Sequence, residues 1–147
     1  MRLQKLNPGF VAAGAAISLS KALHDGKTIL LDTLTGSVVT LPAATGSGCK
    51  IRVFEKLAAT SNSHKIQVQN STDVMAGSVC LTTAAGTTDG TFPTAATSDT
   101  ITLNRTTTGG LTNGAWFDFE DVAAGLWSVR GCANGQATVV TPFSAAV

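Results

Sequence analysis

Residues 115–131 read AWFDFEDVAAGLWSVRG. From Ala115 to Glu120 the side chains alternate, with Phe117 and Phe119 on one side and Trp116, Asp118 and Glu120 on the other. A β-strand turns successive side chains to opposite faces, so a period of two puts both phenyl rings on a core and both carboxylates outside it. From Ala124 to Arg130 the alternation resumes and sets Trp127 beside Val129. The stretch therefore reads as two half-buried strands in succession.

The same period recurs upstream. In Cys49–Glu55, sequence CKIRVFE, Cys49, Ile51 and Val53 share one face, and Lys50 and Arg52 take the other. His64–Asn70 sends Ile66 and Val68 inward and Lys65, Gln67 and Gln69 outward. With Asn62 and Ser63 between them, these segments predict an antiparallel pair joined by a surface loop. Thr28–Thr33, Ser37–Leu41 and Asp99–Arg105 also read as strands. Val74–Leu81 reads as a weaker one, with a bulge expected at Gly77.

Turn residues punctuate the strands. Asp25-Gly26 and Gly36 supply left-handed positions, and Pro42 ends a strand because proline cannot donate to a ladder. Gly46 and Gly48 lie in the following loop. Asn134-Gly135 predicts a hairpin, and Gln136–Thr141 a closing strand before Pro142. Thr82–Ser98 and Thr106–Gly114 read as long polar connections. The expectation is an all-β, single-domain antiparallel β-sandwich or β-barrel of about nine short strands, with no repeat at a fixed period.

Composition agrees. Charged residues make up 13% of the chain, against about 25% in ordinary domains. Serine and threonine fill about a fifth, and threonine fits a pleated surface better than a helix. Net charge is +1. No basic stripe interleaved with aromatics appears, so nucleic acid is not an expected partner.

The main domain is expected over residues 23–147, after an extended N-terminal arm at 1–22. The opening, MRLQKLNPGFVAAGAAISLSKA, loosely mimics a secretory signal, but its apolar run is short and holds Gly14. It falls far below the ~18 apolar residues of a membrane span, so no membrane partner is expected. An ordered arm or a first strand is the expected form. As an arm it would lie against a neighbouring subunit, with Leu6, Phe10, Val11, Ile17 and Leu19 as candidate contacts.

Little in the chain suggests chemistry, and no catalytic, cofactor or metal site is expected. His24 and His64 have no ligand partner at metal-binding spacing, and His24 is expected to hydrogen-bond the backbone. Gly46-Ser47-Gly48 opens a strand rather than a helix, so it lacks a phosphate cradle. Cys49, Cys80 and Cys132 form no CxxC pair and are read as small buried hydrophobes, one disulfide plus a free thiol being the alternative. Asp118, Glu120 and Asp121 form the acidic cluster. Asp118 and Glu120 share a strand face that suits a calcium ion or a carboxylate pair, but more simply a solvated surface. Trp116 suits a sugar platform or a subunit contact.

Two segments resemble a known family. LSKALHDGKTILLDTLTGSVVTLPAATGSGCKIRVF and WFDFEDVAAGLWSVRGCANGQATVVTPFSAAV are similar to small phage virion proteins of the head decoration, or cement, type, the match covering roughly residues 19–55 and 115–144. Gly36, Leu41-Pro42, Gly46, Gly48, Trp127, Gly131 and Thr141-Pro142-Phe143 carry the likeness. The resemblance implies a β-sandwich or barrel subunit that forms homotrimers, binds the major capsid protein on the outer capsid surface of the virion and bridges neighbouring capsomers. It implies a structural role and no enzyme. The Leu-Pro and Gly-x-Gly elements also occur in appendages. The alternative is therefore a host-binding head or tail fibre module recognising surface glycans through its polar loops and Trp116.

Overall fold

The computed structural model describes residues 9–86 and 89–147. Among these lie twelve strands: β1 (Phe10–Ala12), β2 (Ala16–Ser18), β3 (Lys27–Leu31), β4 (Val38–Thr40), β5 (Lys50–Glu55), β6 (His64–Gln67), β7 (Val74–Thr83), β8 (Gly90–Pro93), β9 (Thr100–Leu103), β10 (Trp116–Ala123), β11 (Leu126–Gly135) and β12 (Phe143–Ser144). One helical turn, α1 (Lys21–His24), separates β2 from β3. The strands form a seven-stranded sheet, in the order β1-β3-β5-β10-β11-β7-β8, and a five-stranded sheet, in the order β12-β9-β6-β4-β2. Their inner faces share one apolar core, so the domain is an all-β sandwich.

The alternation read from the sequence sets the faces. Phe117, Phe119, Trp127 and Val129 of the larger sheet are buried, as are Val39, Leu41, Ile66 and Ile101 of the smaller sheet or its margin. Each large side chain so buried contributes about 1.5–3 kcal/mol. Trp127 Nε1 donates to the Pro42 carbonyl at 3.1 Å. This bond joins the Leu41-Pro42 element to the tryptophan and satisfies the one polar atom of a fully buried ring.

Strand direction departs from expectation. Five of the ten pairings are parallel: β1 with β3, β3 with β5, β2 with β4, β4 with β6, and β7 with β11. The sheets are mixed rather than antiparallel. Between β1 and β6 the chain crosses to the opposite sheet after every strand, so each return runs in the direction of the strand it left. The first half of the molecule is thus a coil with two strands per turn. Alternation fixes which face a residue takes but not which strand lies beside it.

Several local readings change for the same reason. β5 and β6 belong to different sheets, with the loop between them crossing the sandwich. Asn134 and Gly135 extend β11, paired with Thr82 and Thr83, and make no hairpin turn. Residues 136–141 form no strand; Gln136 and Val140 donate instead to the Thr106 and Thr107 carbonyls. Pro142 precedes β12 and accepts from the Thr102 N–H. The connection read at Thr82–Ser98 contains β8, which folds back antiparallel on β7. Gly36, Gly46 and Gly48 all hold the left-handed conformation expected of turns.

Gly77 lies in an unbroken register with β11, so no bulge occurs there. Its φ is +151°, and a Cβ would stand 1.9 Å from the Val129 carbonyl oxygen. Glycine lets two parallel backbones meet where no side chain fits. The irregularity falls instead between Asp121 and Ala123 in β10.

The described part of the N-terminal segment is woven into the sandwich. β1 is an edge of the larger sheet, β2 an edge of the smaller, and Ala13 and Leu19 are core residues. Residues 9–22 therefore pack within their own chain and form no projecting arm.

Candidate functional site

The outer face of the seven-stranded sheet gathers the exposed aromatic residues. Register aligns Leu30, Phe54, Trp116, Cys132, Cys80 and Thr91 in one row across six strands. Phe54 and Trp116 are each 36% exposed and stand side by side. Alongside runs a charged row of Thr28, Arg52, Asp118, Arg130 and Ser78, ending at Phe10 on the β1 edge. Arg52 grips Asp118 through Nε at 2.6 Å and Nη2 at 2.7 Å, and its guanidinium lies 5.3 Å from the Trp116 ring centroid. Lys50 faces Glu120 at 3.7 Å. These residues border a shallow cleft of about 630 Å³. The arrangement is a flat aromatic platform held by a paired-charge lattice, suited to contact and orientation.

Asp118 and Glu120 share the outer face as the alternation predicts, each paired with a cation from β5. Among the described residues no group of three or more His, Cys, Asp or Glu is placed to hold a metal ion. No helix among them is long and apolar enough to cross a membrane.

The candidate contact residues divide. Trp116 and Phe10 lie on the outer face, Phe10 being 64% exposed. Val11 and Ile17 are half-buried against the core. Leu19 is buried at 6% exposure and offers nothing to a partner, because β2 folds it under its own sheet. Leu6 lies outside the described residues.

Asp121, read from the sequence only as part of an acidic cluster, and Glu55, read only as a strand residue, are both fully buried. Asp121 is fully covered and accepts from the N–H groups of Thr45, Gly46 and Ser47, from the Ser47 hydroxyl at 2.6 Å, and from Lys21 Nζ at 2.6 Å. Burial alone would raise its pKa. The Lys21 ammonium, the Ser47 hydroxyl and the Gly46 and Ser47 amides outweigh burial and hold the carboxyl well below its usual range.

Glu55 is equally covered, yet neither oxygen has a hydrogen-bond partner. Burial pushes its pKa from 4.5 up to about 7, and the Ala115 backbone offsets only part of that. His64 Nε2 lies 3.9 Å away but donates to the Leu57 carbonyl at 2.8 Å, while Nδ1 accepts from the Ser37 N–H. These bonds fix the neutral tautomer, and burial lowers the His64 pKa further. His64 therefore supplies Glu55 with no cation.

His24 Nδ1 accepts from the Ser20 N–H at 2.9 Å, the backbone role expected of it. All three cysteines are free thiols, Cys49 buried and the other two half-buried. Period two could have found both carboxylates, since Glu55 shares the parity of Ile51 and Val53, and Asp121 that of Phe117 and Phe119. The aromatic row needed the register.

Comparison with protein-family models, with curated proteins and with solved structures found no match.

Proposed function

We propose that this chain is a structural virion protein, a capsid decoration protein that binds the outer surface of a phage shell as a homotrimer and stabilises contacts between capsomers. The observation that carries this reading is the row of Leu30, Phe54 and Trp116 on the uncovered face of the larger sheet. Half-exposed aromatics flanked by paired charges are the composition of an interface centre with a polar rim. The likeness of roughly residues 19–55 and 115–144 to decoration proteins supports the same reading. A trimer engaging several capsomers gains avidity from contacts that are individually weak.

The test is addition of purified protein to shells that lack it. The protein co-sediments with the shells and raises the temperature at which they open. Trp116→Ala with Phe54→Ala folds normally and lowers shell affinity at least tenfold, about 1.4 kcal/mol. Unchanged affinity in the double variant, or failure of the wild type to bind shells, refutes the proposal.

A second reading, a head or tail fibre module that recognises glycans, is favoured by one observation. Trp116 stacks with Arg52, which lines an open cleft together with Asp118 and Glu120, an arrangement that suits a sugar ring. Binding to a glycan array that disappears in Trp116→Ala, together with normal shells in the protein's absence, would favour it.

A further inference from the structure

The outer face holds a second arrangement that the docking role does not use. Cys80 on β7 and Cys132 on β11 are direct register partners on adjacent parallel strands. Both side chains share the outer face with Trp116, and both are half-buried free thiols. Adjacent strands lie about 4.8 Å apart, inside the 4.4–6.8 Å Cα separation that a disulfide spans. Each thiol borders a surface depression next to Trp116, so a small reagent can reach it. Cys49, by contrast, is 3% exposed beneath the same sheet and has neither cysteine as a register partner.

We propose that Cys80 and Cys132 are a cross-strand dithiol that a small-molecule disulfide converts to an intramolecular disulfide, stapling β7 to β11. One thiolate attacks the reagent, forms a mixed disulfide and releases the first reagent thiolate. The second cysteine, as thiolate, attacks the protein sulfur of that mixed disulfide and releases the other. The two cysteine protons pass to the two released thiolates, so one reagent disulfide is reduced to two thiols as the protein pair is oxidised.

Chemistry sets the conditions. Burial and the adjoining Cys80 thiol push the Cys132 thiol up to about 11. Thiolate is therefore scarce at neutral pH, and oxidation accelerates with alkali. The staple closes the long segment between the two cysteines, which raises thermal stability by constraining the unfolded chain.

The experiment treats the full chain with oxidised glutathione at about pH 8.5, followed by alkylation and peptide mapping. The expected product has lost two hydrogens, links the Cys80 and Cys132 peptides, leaves Cys49 alkylated after unfolding, and melts about 5 °C or more above the reduced protein. Cys80→Ser and Cys132→Ser each abolish the shift, and dithiothreitol reverses it in the wild type. Stable glutathione adducts on both cysteines, a linkage involving Cys49, or two cysteines that stay alkylatable after prolonged oxidation would each overturn the proposal.

Discussion

Glu55 and Asp121 flank opposite ends of the paired stretch of two antiparallel strands, β5 and β10. Both carboxylates point inward and both are fully covered. Only one is charged through the neutral range. At the Asp121 end, the Thr45–Ser47 loop turns three N–H groups toward the oxygens and α1 brings Lys21. At the Glu55 end, the chain offers the Gly110 and Ala115 backbones and a neutral His64 whose donor is already used. Burial raises the pKa of both carboxylates, and only at Asp121 do donors outweigh it.

Replacing the two residues should therefore have opposite effects. Asp121→Ala strands three loop amides and an ammonium, and should cost about 3–5 kcal/mol in urea denaturation. A loss under 1 kcal/mol would mean that the loop closes without the carboxylate. Glu55→Gln should instead stabilise the protein at pH 8 by up to about 3 kcal/mol, with little change at pH 5. A variant less stable than wild type at pH 8 would show that ionised Glu55 has a partner.

The pH profile separates the two ends further. Glu55 has a folded pKa of about 7, above its unfolded value of 4.5. Between those values the unfolded chain has released the proton while the folded chain keeps it, so stability falls as pH rises through the window and levels off above it. Asp121 has a folded pKa below its unfolded value of 3.8. Its contribution is present above that value and is lost as pH falls below it. Thermal melts across pH should show a maximum between the two limbs, and Glu55→Gln should flatten only the upper one.

The smallest effect belongs to the exposed counterpart. Arg52 and Asp118 lie between these ends, on the outer side of the same strands, with side chains 51% and 45% exposed. Arg52→Ala should cost under about 1 kcal/mol of folding stability in urea. A cost near that of Asp121→Ala would mean that the outer lattice is structural rather than available to a partner.

The faces of the fold were legible in the sequence, and the neighbours were not. Phe117, Phe119, Ile51, Val53 and Val39 all point where period two sends them, because alternation is a property of one strand. That β5 lies between β3 and β10, rather than beside β6, depends on where the chain crosses between sheets. Nothing local in Lys56–Ser63 records that crossing. Asn134-Gly135 carries a strong hairpin signal, but ladder bonds to Thr82 and Thr83 override it. The site divides in the same way. Trp116 was visible as an outward aromatic, while its alignment with Phe54, Cys132 and Cys80 appears only when four strands are set in register.

The central claim is that the aromatic row of the larger sheet is where this protein meets other protein chains. Hydroxyl-radical footprinting of Trp116 and Phe54, free and bound to shells, tests it most directly. Severalfold protection of both side chains on binding is the predicted result. Equal oxidation in the two states, with shells demonstrably occupied, would contradict it.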